Sequence, residues 1–175
     1  MRFCLRHGDQ PLAGYTILRG LGRGAFGEVY LAQSEGGKLV ALKVVLDGSD
    51  LELRGARACL NVPHPHLVAV HDLGVGADGL PIFVLEYVPG RSLRSLIADN
   101  PQGCGPTEAT RLLRQIALGV ACLHDHGIVH RDLKPENVML GLSALISLTR
   151  LAACMSPEAS PATMIRCFCV SISFG

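Results

Sequence analysis

The octapeptide His130-Arg131-Asp132-Leu133-Lys134-Pro135-Glu136-Asn137 constrains this chain more than any other stretch, because it sets a base, a cation and a metal ligand in one short loop. Few purely structural demands call for that set. Two segments precede it in order, the glycine-rich run Gly22-Arg23-Gly24-Ala25-Phe26-Gly27-Glu28-Val29 and the apolar stretch Val40-Ala41-Leu42-Lys43. A lone glycine run of this kind is a weak signal, whereas three ordered segments at sensible distances are a strong one.

The 175 residues are 49% apolar and 18% charged, which fits one globular domain with a sizeable core. Sixteen Lys and Arg against fifteen Asp and Glu leave a net charge of +1. No strong field draws the chain to nucleic acid or anionic lipid, and neither is expected as a partner. The seven cysteines include no CxxC pair, Cys167-x-Cys169 being the nearest approach. His64-Pro65-His66 and His124-Asp125-His126 lack third and fourth ligands nearby, so reduced thiols and no His/Cys metal site are expected. Residues 1–11 carry Arg2, Arg6 and His7 without an apolar run, and Leu142 to Met155 is too short to span a bilayer and contains Arg150. A cytoplasmic chain without a membrane span is expected.

Periodicity organises the rest. Tyr15 to Val45 reads as three antiparallel strands, with Ser34-Glu35-Gly36-Gly37 as a turn. Leu51 to Leu60 reads as a helix; Leu67 to Leu73 and Pro81 to Tyr87 read as two more strands joined by Gly76-Ala77-Asp78-Gly79. Beyond Pro89-Gly90 the period becomes helical, over Ser92 to Ala98 and then Thr107 to His126. There Leu113, Ile116, Val120 and Leu123 predict the buried face, and Gly127 stands where a left-handed cap belongs. Residues 141–175 show no clean period and predict no fold.

Chemistry attaches to these elements one by one. Gly22, Gly24 and Gly27 let a hairpin backbone approach phosphates closely, since no Cβ intervenes. A dinucleotide site would need a helix starting at the third glycine, but Glu28-Val29-Tyr30-Leu31-Ala32 favours a strand. Lys43, in an otherwise apolar strand, needs an anionic partner if it points inward. Glu52, on the helix that follows, is the candidate carboxylate.

Residues from about Tyr15 to Leu140 resemble a serine/threonine protein kinase catalytic domain of bacterial style, carried by GRGAFGEVYLA and HRDLKPENVML. The resemblance implies an α+β, two-lobe fold with a five-stranded antiparallel N-lobe, one helix and an incomplete helical C-lobe. The implied organisation is an extension over 1–14, an N-lobe over 15–88, a partial C-lobe over 89–140 and a tail over 141–175. ATP and Mg²⁺ are the implied cofactors, and the partner is a protein offering a Ser or Thr hydroxyl. Asp132 would accept the hydroxyl proton, Lys134 would sit near the transferred group and Asn137 would bind Mg²⁺. Lys43 and Glu52 would form the phosphate-positioning pair. Leu21, Val29 and Ala41 would enclose adenine, Phe26 would cap the glycine tip, and the backbone of Glu86-Tyr87-Val88 would form the hinge behind Leu85. Val138 to Leu140 would be the strand beneath the nucleotide, with His130 and Arg131 as bracing residues.

The family next carries a DFG triplet, an activation segment and an APE motif, and none is recognisable here. Val170-Ser171-Ile172-Ser173-Phe174-Gly175 resembles the approach to that triplet with serine in place of aspartate. Impaired phosphoryl transfer is therefore expected. The alternatives are a nucleotide-binding pseudokinase scaffold and a non-functional fragment, and intact Asp132, Lys134 and Asn137 favour the enzyme.

Overall fold

The computed structural model describes residues 3–24, 27–46, 57–60, 62–130, 132–141 and 165–167. They divide between two compact units, one built mainly from Met1–Asn61 and Ala69–Tyr87, the other mainly from Val62–Val68 and Val88–Ser171.

The first unit is an antiparallel sheet of β1 (Tyr15–Gly24), β2 (Gly27–Ser34), β3 (Leu39–Val45), β4 (Val70–Val75) and β5 (Pro81–Glu86), in the order β1-β2-β3-β5-β4. Its turns fall where glycine permits them. Gly37, at φ +81°, closes the β2–β3 turn through its N–H to the Ser34 carbonyl, and Gly79, at φ +80°, donates likewise to Gly76 between β4 and β5. Alternation then sorts the side chains. Ile17, Tyr30, Ala32, Val40, Leu42, Val44, Ile82 and Val84 form one buried cluster, while Leu31, Ala41, Lys43, Phe83 and Leu85 occupy the other positions of the pleat and are buried as well. Burial on both faces is why β3 reads as a nearly unbroken apolar run.

Two expectations shift here. The fourth strand begins at Val70 and not at Leu67, because residues 64–67 form a turn closed by the Leu67 N–H to the His64 carbonyl. The segment before Tyr15 is also part of the core: Phe3, Leu5 and Leu12 pack against the buried cluster. Of the helix expected over Leu51 to Leu60, residues 57–59 are helical and 51–56 lie outside the described residues.

The second unit carries two helices and a small sheet. Helix α1 (Leu93–Asp99) is capped by Ser92, whose Oγ accepts from the Ser95 N–H at 3.2 Å. Helix α2 (Pro106–Asp125) starts with proline in its first turn, where no intrahelical N–H is needed. It ends in a Schellman motif: Gly127, at φ +70°, donates to His124 and Ile128 donates to Leu123, with Leu123 and Ile128 both buried. The expected cap is therefore present. The expected face holds at Ile116 and Leu123 and is corrected at Leu113, which is 64% exposed; the buried residues are Glu108, Leu112, Gln115, Ile116, Gly119 and Leu123. At about 100° per residue, Leu113 turns away from the stripe that Leu112 and Ile116 define.

Strands β6 (Gly90–Ser92), β7 (Val138–Gly141) and β8 (Ile165–Cys167) form the small sheet, with β7 in the middle. Gly90 is obligatory there, because a Cβ would lie 1.9 Å from the Leu140 carbonyl oxygen. Strand β8 falls in the stretch for which periodicity predicted nothing. The Val170 to Gly175 segment lies outside the described residues.

Candidate active site

In the sheet unit the sequence-predicted residues line up across strands. Gly22 pairs with Val29, Val29 with Lys43 and Lys43 with Phe83, which sets the glycine strand, an apolar side chain and the lysine in one row. Ala41 sits two residues from Lys43 on β3, paired with Leu31 and Leu85. Leu21 occupies an irregularity in the β1 register between Gly20 and Gly22 and is 37% exposed. Lys43 is 7% exposed, so of the two directions the sequence left open the side chain takes the buried one.

The three glycines differ in what demands them. A Cβ on Gly27 would lie 2.1 Å from the Val44 carbonyl oxygen, so the approach of β3 excludes any side chain there. Among the described residues nothing lies within 4 Å of a built Cβ on Gly22 or Gly24, and neither adopts positive φ. Neither packing nor chain conformation requires glycine at those two positions. They leave open space beside the backbone, which is what an approaching phosphate needs.

At the end of β5, Glu86 is fixed by a reciprocal pair: its N–H donates to the Ala69 carbonyl at 2.8 Å and its Oε2 accepts from the Ala69 N–H at 3.3 Å. Val88 is buried and belongs to the second unit. Phe26 and Glu52 lie outside the described residues, as does Arg131.

In the second unit the catalytic-loop candidates meet one another directly. Lys134 Nζ lies 2.8 Å from Asp132 Oδ1. Asn137 Nδ2 donates to the Asp132 carbonyl at 2.8 Å and to Asp132 Oδ2 at 2.9 Å, which leaves its own Oδ1 as the amide's acceptor. A 3₁₀ turn over Pro135–Asn137 makes this possible by folding Asn137 back, its N–H donating to the Lys134 carbonyl. Asp132 keeps 28% of its side chain exposed, and His130 beside it is buried. Sequence reasoning missed one brace. Arg94 of α1 donates to Glu136 at 2.7 Å, and that hydrogen bond holds the Glu136 carboxyl below its usual range. The 42 residues separating the pair hide it from any local pattern.

Among the described residues no group of three or more His, Cys, Asp or Glu could hold a metal ion. A divalent ion would find the Asn137 oxygen and the neighbouring Asp132 carboxylate, a set that suits Mg²⁺ only when phosphates complete its shell. Among the described residues no helix is long and apolar enough to cross a membrane.

The protein kinase domain family matches residues 15–156. The chain belongs to the protein kinase family. It is 39% identical over 145 residues to the serine/threonine-protein kinase pkn2 of Myxococcus xanthus, an alignment covering 78% of this chain and 17% of that one. It is 38% identical over 135 residues to the serine/threonine-protein kinase PkaB of Streptomyces coelicolor, covering 73% and 32%. Among solved structures, the PknI kinase domain of Mycobacterium tuberculosis superposes with a TM-score of 0.75 at 28% identity, covering 97% of this chain and 64% of that domain. The chain thus spans a minor part of these curated relatives and about two thirds of a solved kinase domain. Proteins of this family use ATP with a divalent metal and act on protein substrates.

Proposed function

We propose that this chain binds ATP with Mg²⁺ and directs the γ-phosphoryl group to a Ser or Thr hydroxyl of a protein, with transfer weakened by an incomplete metal site. The observation that carries the reading is the mutual contact of Asp132, Lys134 and Asn137. A carboxylate held between an ammonium group and an amide is fixed in orientation, as a group accepting the hydroxyl proton must be. Lys134, 46% exposed, is placed to offset charge near the transferred group. Bound Mg²⁺ would neutralise phosphate charge, with the Asn137 oxygen as its protein ligand.

The sheet unit supplies the nucleotide half of the proposal. Open space at Gly22 and Gly24 admits phosphates, and buried Lys43, in the cross-strand row of Gly22 and Val29, supplies a cation for them. Leu21, Val29 and Ala41 offer apolar contact to adenine, and the backbone around Glu86 and Val88 offers its polar partners. We place the chain in the cytoplasm, where ATP is available.

The weakness follows from residues 138–175, which contain no aspartate. Mg²⁺ held by the Asn137 oxygen beside Asp132 lacks the further carboxylate that usually anchors it. The test is transfer of labelled γ-phosphate to a basic protein by the whole chain and by its Asp132→Ala variant. Aligned acid–base groups contribute roughly 10²- to 10⁴-fold, so the variant should lose about 10²-fold or more. Equal transfer by both would refute the mechanism.

A further inference from the structure

We propose that residues 3–9 form a latch that fixes the glycine hairpin, with Glu28 as its positioning residue. Glu28 stands immediately after Gly27 and pairs across the hairpin with Arg23, which lies between Gly22 and Gly24. Its side chain is 1% exposed. A carboxylate buried so completely needs donors; two meet its Oε2, while its Oε1 faces Arg23 as an ion pair without a hydrogen bond. The Cys4 N–H donates to Oε2 at 3.0 Å, the Tyr30 hydroxyl donates to the same oxygen, and Arg23 Nε lies 3.3 Å from Oε1. The Tyr30 oxygen in turn accepts from the Leu5 N–H at 3.1 Å. Every proton in this chain runs toward the carboxylate, so two main-chain N–H groups of the latch are tied to the strand that leaves the glycine turn.

Apolar contacts hold the same segment down. The Phe3 ring packs on Tyr30 with centroids 5.5 Å apart and fills the space over Gly20, where a Cβ would lie 2.3 Å from a ring carbon. Further along, Gly8 and Asp9 exchange main-chain hydrogen bonds with Ile17, covering the edge of β1. Leu12 sits over Gly74 of β4 in the same way as Phe3 over Gly20, with a Cβ there falling 2.4 Å from Leu12 Cδ1. The latch therefore holds Gly20, Glu28 and Tyr30 on the two strands of the hairpin, and the chain just beyond it is anchored away from the hairpin by Leu12. Loosening it frees the hairpin backbone, and this lowers nucleotide affinity, a consequence that rests on the nucleotide reading above.

Gly20→Ala separates this role from general stability. It adds one methyl group to a strand and displaces the Phe3 ring from its place on Tyr30, while leaving every hydrogen-bonding group of the Glu28 network present. Tyr30→Phe removes the hydroxyl link by a different route. Gly74→Ala is the control, since it displaces Leu12 at the far end. Hydrogen exchange on the whole chain should show amides of residues 22–29 exchanging about fivefold faster in Gly20→Ala and Tyr30→Phe, the factor that one ordinary hydrogen bond supplies, and unchanged in Gly74→Ala. The dissociation constant for Mg²⁺·ATP should rise by a similar factor in the first two variants only. Unchanged exchange over 22–29 in Gly20→Ala and Tyr30→Phe would overturn the latch, as would an equal effect from Gly74→Ala. If the unmodified chain binds no nucleotide, the functional reading fails while the exchange pattern still decides the latch.

Discussion

Glu28 shows how a single carboxylate ties the stability of the sheet unit to pH. Burial pushes its carboxyl up, but the hydrogen bonds from Tyr30 and Cys4 and the charge of Arg23 outweigh that, and its folded pKa lies below the ordinary 4.5. Tyr30 is pushed up to about 12 by burial and by its hydrogen bond to Glu28, so its hydroxyl remains a donor across the neutral range. A carboxylate depressed on folding contributes stability that is complete above its unfolded pKa and is lost as pH falls through the folded one. The stability difference between the unmodified chain and Glu28→Gln should therefore be constant above the ordinary value of 4.5 and shrink as pH drops below it. Urea titrations across that range measure it, and a difference that grows toward acid would contradict the assignment. Glu136, also depressed but paired with Arg94 on an exposed surface, adds little to the same curve.

Helix and strand geometry separates residues that composition treats alike. Leu112 and Leu113 are neighbours in α2, yet Leu112 is 4% exposed and Leu113 64%. Leu112→Ala should cost about 2–5 kcal/mol in denaturant titrations, whereas Leu113→Ala should stay within about 0.5 kcal/mol. The glycine hairpin makes the same point with backbone. Gly27→Ala must push β2 from β3 because of the Val44 carbonyl and should destabilise by about 1–3 kcal/mol. Gly22→Ala meets no atom of the described residues and should leave the melting temperature unchanged while weakening ATP binding, which a titration of fluorescent nucleotide would report. These contrasts also mark how far the sequence could be read. The strand meander, the turns at Gly37 and Gly79 and the Gly127 cap were legible because each rests on a local backbone requirement. The loop from Asp132 to Asn137 was legible because its chemistry is concentrated in few residues. Leu113 misled because a 3,4,3 spacing can be drawn through more than one starting residue on a leucine-rich helix. Phe3 and Leu5 were passed over although they alternate with Cys4 and Arg6, since two apolar residues are too few to announce a strand-like contact. Arg94–Glu136 and the β7–β8 pairing are contacts of long sequence separation, which no local period encodes.

At the scale of the whole chain, the lack of aspartate in residues 138–175 bears on how nucleotide and metal would act together under the proposed function. The chain matches 17% and 32% of two curated kinases and 64% of a solved kinase domain. The glycine hairpin, Lys43 and the Asp132 loop all lie within residues 15–156, the range of the family match. Any ligand bound only by the folded state stabilises it by RT ln(1 + [L]/Kd), which is about 1.4 kcal/mol at a tenfold excess over Kd. For a chain of this size that corresponds to a rise in melting temperature of roughly 3–6 °C. A kinase with both metal ligands gains affinity for ATP when Mg²⁺ is added. Here Asn137 offers an amide oxygen beside an Asp132 carboxylate already engaged by Lys134 and Asn137, and residues 138–175 add one acidic side chain, Glu158. The metal therefore finds little more in the complex than ATP already gives it in water, and Mg²⁺ should change the ATP-induced shift by no more than about 1 °C. Thermal melts with ATP alone and with ATP plus Mg²⁺ make the comparison. A shift that appears only with Mg²⁺ would mean that the chain supplies a second metal ligand, and replacing Glu158 by glutamine would then show whether that carboxylate is the one.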